Sequence, residues 1–285
     1  MDSSKFFITG ANGQLGRALK AIYSDAQGAD IDALDITDAA AVNNFDWSDI
    51  KIIFNAAAFT NVDGAETPEG RLAAWQVNAL ATANLVRVAL AHGITLVHIS
   101  TDYVFDGRRD WHTEDEPYSP LGIYAQTKAA GDISAGLAPK HYLLRTSSVV
   151  GQGRNFVRTM VGLAEKNVSP TVVNDQIGRL TFASELARAV DHLLSIKAPF
   201  GTYNVTNSGD PASWADITRA IFKLLGRNDL TVTNATTAEY AAGKPDVAAR
   251  PLHSTLSLNK LEATGFMPID WSKALADYLA KEATA

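Results

Sequence analysis

The sequence predicts an α/β fold built on a doubly wound parallel sheet. Short apolar segments alternate with longer amphipathic patterns, the order expected of strand–helix–strand units. The short segments are apolar on both faces, as required of strands covered by helices on both sides. They are KFFITG, KIIFNAAA, TLVHIST, HYLLRTSSVVG and TYNVTNSG. The helical patterns between them are GQLGRALKAIYS, EGRLAAWQVNALATANLVRVALAHG and TKAAGDISAGL.

The composition is that of an ordinary globular protein and excludes several functional classes. A net charge of −6 over 285 residues argues against a nucleic-acid binder. The absence of cysteine excludes disulfides, cysteine-ligated zinc and a thiol nucleophile, and fits a cytoplasmic protein. The sequence shows no signal-peptide pattern and no apolar run of about 18 residues, so we expect no membrane association.

The alternating pattern weakens after about residue 150, which predicts two parts. We expect residues 1–150, with about 178–206, to form a dinucleotide-binding domain. Residues 151–177 and 207–285 are then a smaller, discontinuous substrate-binding lobe over the carboxyl ends of the strands. Within that lobe, TTAEYAAGKPDVAARPLHSTL is predicted to be rich in loops, with breakers at Gly243, Pro245 and Pro251.

A glycine-rich turn joins the first strand to the first helix. Gly10, Gly13 and Gly16 stand in TGANGQLG, where glycine permits a tight turn and a close approach of pyrophosphate to the backbone. The helix that begins near Gln14 and Leu15 directs its free N–H groups and positive dipole end at the same anion. This context predicts a Rossmann-like site for a dinucleotide.

A carboxylate follows the predicted second strand. Asp30, twenty residues after Gly10, is our candidate acceptor for an adenosine ribose, although GADIDALDITD holds four aspartates. Asp35 and Ile36 are the alternative, beside the adenine. A carboxylate at Asp30 would repel a 2′-phosphate and favour NADH, unless Arg17 compensates.

Two tyrosines are followed by a lysine four residues later, and context separates them. Tyr124 and Lys128 in YAQTK open a helix just after the strand that ends at Thr101. In open α/β sheets, ligands gather at the carboxyl ends of strands. Tyr240 and Lys244 in YAAGK have no strand end nearby, so the first pair is the chemical one.

The helix that carries Tyr124 is predicted to start early. Ser119 is the expected N-cap, with Pro120 at the first helical position. Tyr124 and Lys128 then share one face, and the lysine ammonium would lower the pKa of the Tyr124 phenol. Lys128 would also hold the nicotinamide ribose.

With these motifs in place, the chain resembles the extended short-chain dehydrogenase/reductase superfamily and, within it, the dTDP-4-dehydrorhamnose reductase family. The glycine turn and Y-x-x-x-K are shared by the whole superfamily, whereas STDYVFDG with NDQ-x-G is far more specific. The motifs span positions 9 to 256. They are TGANGQLG, LDITD, NAAAFTNVDGAE, HISTDYVFDG, SPLGIYAQTK, LRTS, GRNFVRTM, VVNDQIGR and RPLHSTL.

The resemblance implies an oxidoreductase that uses NADPH or NADH to reduce the C4 ketone of a dTDP-6-deoxy-hexulose. Tyr124 would give the proton, and Thr101 would orient the ketone. Lys128 would adjust the pKa of Tyr124 and hold the cofactor. Other positions follow from the same resemblance. The cofactor pocket would be lined by Ala57, Ala58 and Phe59, the sugar would lie near Asp102 and Val104, and Asn78 would support the site from behind.

Four further residues are weaker candidates for holding the substrate. They are Asn155, Asn174, Gln176 and Arg250. Asn174 and Asn78 are equally compatible with helix or turn caps, and Arg250 with a surface cation beside a proline.

The chain departs from the family pattern at several positions. Ser148 replaces a tryptophan expected to touch the sugar, which leaves a space unless a neighbouring aromatic residue, such as Phe156 or Trp111, fills it. Leu180 and Ala125 replace proline and glycine. Ala18 stands where some members carry a glutamate of an intersubunit magnesium site, so we expect no metal and a monomer or weak homodimer.

Remaining features are structural in this interpretation. The six histidines show no ligand spacing, and Trp75, Trp214 and Trp271 lie on apolar helical faces typical of a core. Two other functions stay open: a nucleotide-sugar 4-epimerase or dehydratase, which shares Y-x-x-x-K, and a non-catalytic dinucleotide-binding subunit.

Overall fold

The computed structural model describes residues 1–244 and 247–282, so Pro245, named above as a breaker, lies outside the described residues. Twelve strands are present in this part of the chain. They are β1 Phe6–Thr9, β2 Gln27–Ala29, β3 Ile52–Asn55, β4 Thr95–Thr101, β5 His141–Thr146, β6 Val149–Val150, β7 Thr171–Val173, β8 Ile177–Gly178, β9 Thr181–Phe182, β10 Gly201–Asn204, β11 Ala212–Ser213 and β12 Thr233–Ala235.

Eleven α-helices accompany these strands within the described ranges. They are α1 Gln14–Ile22, α2 Ala39–Asn44, α3 Pro68–Ala74, α4 Ala81–His92, α5 Ile123–Ala135, α6 Phe156–Glu165, α7 Ala183–Ser195, α8 Trp214–Leu224, α9 Thr237–Ala241, α10 Asn259–Glu262 and α11 Trp271–Glu282. None of the described helices combines the length and the apolar character needed to cross a membrane.

Six strands form the central sheet, in the order β10-β5-β4-β3-β1-β2. All five neighbouring pairs are parallel. The chain moves outward from β1 to β2 and then returns to place β3 on the other side of β1. This reversal opens a crevice at the carboxyl ends of β1 and β3, where ligands of doubly wound sheets bind.

Both faces of the sheet are apolar because alternate residues of each strand point to opposite sides. Phe6 and Ile8 pack on one face with α1 and α7, whereas Phe7 packs on the other with α2 and α4. Phe54, on the first face, is fully buried between Phe6 and Tyr23. The parallel, doubly wound α/β sheet predicted from the sequence is therefore confirmed.

A third apolar cluster lies beyond the sheet. It joins α6, α8 and α11 with the short strands β6 and β9, and Trp271 is one of its buried members. The short strands pair as β6–β9, β7–β12 and β8–β11. The segment 178–206 returns to the main sheet through α7 and β10. The division into two domains at the boundaries given above stays a prediction.

Two local expectations, the start of α5 and the burial of Trp75, are wrong, and one helical pattern contains an irregularity. Helix α5 begins at Ile123 after the N-cap Gly122, not at Pro120 after the N-cap Ser119. The Ser119 hydroxyl oxygen instead accepts the Asp106 N–H at 3.0 Å. The long helical pattern after residue 69 is broken by a π-helical segment, Trp75–Leu80, between α3 and α4. Trp75 is 39% exposed and is not a core residue.

Candidate active site

A cleft of about 820 Å³ runs along the carboxyl ends of the central strands. Its floor is formed by the ends of β1 and β4, and its walls by the first turns of α1 and α5 and by the segment after β5. This is the crevice that the reversal of strand order opens. A cleft of this volume is of the size that small-molecule sites have.

Most of the residues singled out from the sequence line this cleft. They are Gly10, Gly13, Gln14, Leu15, Asp30, Asp35, Ile36, Ala57, Ala58, Thr101, Asp102, Tyr124, Lys128, Ser148 and Asn155. Seven other candidates do not line it. They are Gly16, Phe59, Asn78, Val104, Asn174, Gln176 and Arg250.

The glycine turn is held too tightly for larger residues. Gly10 has a φ of +65°, and a Cβ there would lie 2.8 Å from the backbone of Ala57. A Cβ on Gly16 would collide with the carbonyl oxygen of Gly10, which explains why Gly16 packs behind the turn and not in the cleft. The first N–H groups of α1 have no intrahelical acceptor and face the cleft beside Gly13, which provides no side-chain cap. This end of the cleft fits a phosphate group.

Two carboxylates border the same end. Asp30 Oδ2 accepts the Asn12 N–H at 3.0 Å, which ties it to the glycine turn. Asp35 Oδ1 accepts the N–H and the hydroxyl of Thr37, at 2.9 and 2.7 Å. Arg17 also lines the cleft, and its Nη2 lies 3.9 Å from where a Cβ on Gly153 would stand.

Tyr124 lies in the first turn of α5, and its ring packs edge-to-face against Tyr103 at 6.2 Å. Burial raises the pKa of Tyr124 above its usual value, and the Asp102 carboxylate acts in the same direction. Thr101 completes the group: its hydroxyl donates to Asp102 Oδ1 at 2.8 Å. Burial raises the pKa of Asp102 to about 6. The phenol is thus held protonated, the form that a proton donor needs.

Lys128 lies one turn further along α5, and its Nζ donates to the Ile99 carbonyl at 2.6 Å. Burial lowers the pKa of Lys128 to about 8, while the charge of Asp132 opposes that shift. The expected lowering of the Tyr124 pKa by Lys128 is not found, because burial and Asp102 dominate the environment of the phenol. The ammonium is directed at the end of β4.

Asn78 connects the cofactor side of the cleft to α5. Its Oδ1 accepts the Phe59 N–H at 2.9 Å, and its Nδ2 donates to the Phe59 carbonyl at 3.1 Å and to Thr127 Oγ1 at 3.0 Å. The Thr127 hydroxyl donates to the Tyr124 carbonyl at 2.7 Å. Asn78 is buried in the π-helical segment and caps no helix. Phe59 therefore contributes its backbone to this connection and lies outside the cleft.

Ser148 stands beside an aromatic wall. Its φ is +45°, a left-handed conformation that is rare for residues other than glycine. Trp214 lines the cleft next to Ser148 and packs on Phe156 with ring centroids 4.4 Å apart. Trp214, which was expected in the core, lines with Ser148 both the cleft and a small adjoining cavity. Trp111 is 50% exposed and lies outside the cleft.

Gln176 positions this wall from a second, small cavity of about 20 Å³ that adjoins the cleft. Its Oε1 accepts the Trp214 Nε1–H at 3.2 Å, and its Nε2 donates to Thr237 Oγ1 at 3.0 Å. Gln176 therefore reaches the cleft through the tryptophan that it orients. Asn155 caps α6 by accepting the Arg158 N–H at 3.0 Å.

The remaining candidates have structural partners. Val104 is fully buried in a small apolar cluster with Phe105. The backbone N–H of Asn174 donates to the Ala235 carbonyl, which joins β7 to β12. Arg250 forms an ion pair with Asp63 at 2.8 Å.

Sequence reasoning missed several cleft residues, among them Tyr103 and Trp214, and it also missed a contact to the start of α5. Tyr103 and Trp214 line the cleft, and Tyr103 stands inside the quoted motif STDYVFDG, which was the available signal. Glu66 contacts the start of α5 from 57 positions earlier in the chain. No local pattern reveals a contact of that separation.

Comparisons with known proteins give a consistent result. A family model described as "RmlD substrate binding domain" matches residues 4–284. The curated dTDP-4-dehydrorhamnose reductase of Aggregatibacter actinomycetemcomitans is 36% identical over 299 residues, covering 97% of this chain and 99% of the relative.

Two solved structures are similar over nearly the whole chain. A dTDP-4-dehydrorhamnose reductase from Clostridium acetobutylicum has a TM-score of 0.90 and 37% identity, covering 98% of this chain and 99% of the other. That of Bacillus anthracis, solved in complex with NADP, has a TM-score of 0.88 and 33% identity, covering 97% and 98%.

The position of Asp30 generates a test of dinucleotide preference. If its carboxylate faces the adenosine ribose, it repels a 2′-phosphate, so NADH should bind at least as tightly as NADPH. Asp30→Ala should then improve the binding of NADPH relative to NADH by about tenfold, measured as the two Kd values. Arg17→Ala is the matched variant and should weaken the binding of NADPH without changing the binding of NADH. If Asp30→Ala leaves the ratio of the NADPH and NADH Kd values unchanged, Asp30 does not contact the ribose.

Proposed function

This chain belongs to the family described as "RmlD substrate binding domain", and from that premise we propose that it is an NAD(P)H-dependent dTDP-4-dehydrorhamnose reductase. It reduces the C4 ketone of dTDP-4-dehydro-6-deoxy-L-mannose to give dTDP-L-rhamnose. One observation carries the proposal beyond the comparisons: Tyr124, Lys128 and Thr101 line the same cleft as the glycine turn.

The geometry supports a proposed role for each of these side chains. A bound NAD(P)H supplies the hydride for the ketone carbon. Tyr124, whose raised pKa keeps it protonated, donates its phenolic proton to the ketone oxygen as negative charge develops there. Lys128 supplies a positive charge beside that site, and the Thr101 hydroxyl holds the ketone oxygen in place.

The glycine turn fits the diphosphate of the cofactor because no Cβ intervenes between it and the N–H groups of α1. Ala57 and Ala58 form the opposite wall, and Trp214 borders the part of the cleft assigned to the sugar. We extend the proposal to two domains with the boundaries predicted above. We also extend it to a cytoplasmic location and a monomer or weak homodimer without a metal bridge, since Ala18 supplies no ligand.

A direct assay tests the proposed reaction. Purified protein is mixed with dTDP-4-dehydro-6-deoxy-L-mannose and NADPH or NADH, and the loss of reduced-cofactor absorbance is followed together with the formation of dTDP-L-rhamnose. We expect one equivalent of cofactor to be consumed per sugar reduced. A 4-epimerase or dehydratase would copurify with its dinucleotide and convert the sugar without net cofactor consumption. A non-catalytic subunit would bind the dinucleotide and leave the sugar unchanged.

Tyr124→Phe should lower kcat by about 10²–10⁴-fold while the Kd for the dinucleotide stays within about twofold, since the proton-donating hydroxyl is deleted and the ring is kept. Tyr240→Phe is the matched control, because Tyr240 stands in the other tyrosine–lysine pair, outside the cleft, and should retain full activity. Tyr124→Phe with more than about a tenth of the normal rate would show that the proton comes from another group.

The pH dependence of kcat/KM should report on Lys128. Burial lowers its pKa to about 8, so the ammonium is present below that pH and is lost as the pH rises through it. We therefore expect kcat/KM to decline above about pH 8, well before a phenol of raised pKa titrates. Lys244→Ala is the control and should leave the profile unchanged. A profile that stays flat to about pH 10 would contradict the role of the Lys128 charge.

The aromatic wall beside Ser148 makes a prediction about substrate affinity. A tryptophan at position 148 would have to adopt a positive φ and compete for space with Trp214, so Ser148→Trp should raise KM for the dTDP-sugar. Trp214→Ala should raise it about tenfold by removing a stacking surface, with little change in kcat. Trp75→Ala is the control, because the Trp75 side chain is exposed and does not line the cleft. A lower KM in Ser148→Trp would show that the space beside Ser148 is vacant.

A further inference from the structure

The helix that carries Tyr124 has no side-chain cap at its N-terminus. Gly122 is its N-cap and offers no side chain, so the first N–H groups of α5 need acceptors from elsewhere. Tyr124 is the second residue of the helix, in the turn where fraying begins. The direction of the phenol therefore depends on whatever fixes this first turn.

The missing acceptor comes from a distant segment. Glu66 Oε1 accepts the N–H of Ile123, the first residue of α5, at 2.9 Å. The carboxylate thus satisfies one free donor and places negative charge at the positive end of the helix. A Cβ on Gly122 would lie 2.9 Å from the same Oε1, so the glycine leaves room for this approach.

Glu66 is itself held in place. It ends the short 3₁₀ turn Gly64–Glu66, and the Asn61 side chain accepts the Gly64 N–H at 3.1 Å. Asp63, beside this turn, accepts the Ala248 N–H at 3.0 Å and pairs with Arg250. The turn follows Ala57 and Ala58 in the chain, so the segment that forms the cofactor wall also reaches α5.

We propose that Glu66 is a positioning residue for Tyr124, an inference that rests on the proposed reductase function. Its carboxylate fixes the first turn of α5 relative to the wall formed by Ala57 and Ala58. This backbone hydrogen bond, together with the contact from Asn78 through Thr127 to the Tyr124 carbonyl, then sets the distance between the phenol and the reacting ketone. A displacement of about 1 Å in such an arrangement costs up to about 10²-fold in rate.

The test compares Glu66→Ala and Glu66→Gln with the wild type. We expect Glu66→Ala to lower kcat about tenfold, with KM for the dTDP-sugar and Kd for the dinucleotide within about twofold. Glu66→Gln keeps an oxygen acceptor and should retain at least about half of the wild-type kcat. Glu69→Ala is the matched control, because Glu69 is exposed in the first turn of α3 and should change none of these quantities.

The outcomes separate the alternatives. A lower Tm in Glu66→Ala with an unchanged kcat would overturn the inference and leave Glu66 with a purely stabilising role. A loss of kcat in Glu66→Gln as large as in Glu66→Ala would also overturn it, since a retained acceptor would then not suffice. If the wild-type protein does not reduce the dTDP-hexulose, the proposed function itself fails, and this is known before any variant is compared.

Discussion

The buried side chain of Asn78 is the contact on which the arrangement of the cleft depends. It binds both backbone polar groups of Phe59 and the Thr127 hydroxyl, and that hydroxyl reaches the Tyr124 carbonyl. One amide thereby fixes the cofactor wall relative to the helix that carries the phenol. Because Asn78 is 1% exposed, water cannot replace the bonds it makes, and losing it would leave buried donors and acceptors unsatisfied.

A second buried polar group lies beneath the site. Asp132 is fully buried, 3.6 Å from both His98 Nε2 and Arg145 Nε. Its charge raises the pKa of Lys128 against the effect of burial. Burial, together with the charge of Lys128, lowers the pKa of His98. The catalytic face of α5 is thus supported by an ion pair in the protein interior, where removal of one partner is strongly destabilising.

The sequence was most informative where local patterns suffice. The alternation of apolar segments predicted the sheet, and the glycine turn and YAQTK indicated which strand ends carry chemistry. Sequence-based prediction failed where residues distant in the chain form the hydrogen bonds that a local pattern assigns to its own neighbours. Ser119 has the chemistry of an N-cap, yet its hydroxyl is used by Asp106 while Glu66 reaches α5 from far along the chain. Trp214 has the apolar character of a core residue, but it borders the cleft because its indole N–H is bound by Gln176.

The π-helical segment Trp75–Leu80 has a consequence for how the chain tolerates length changes. A π-turn holds one residue more than an α-helical turn, so α3 and α4 are out of phase by about 100° around their common axis. Deleting a single residue between positions 75 and 80 would restore a continuous α-helix and remove that offset. A deletion at Ala79 or Leu80 would rotate Asn78 and the residues that precede it away from α5, although every side chain that lines the cleft would still be encoded. The number of residues in the π-helical segment therefore matters to the site as much as the identity of the residues that line the cleft.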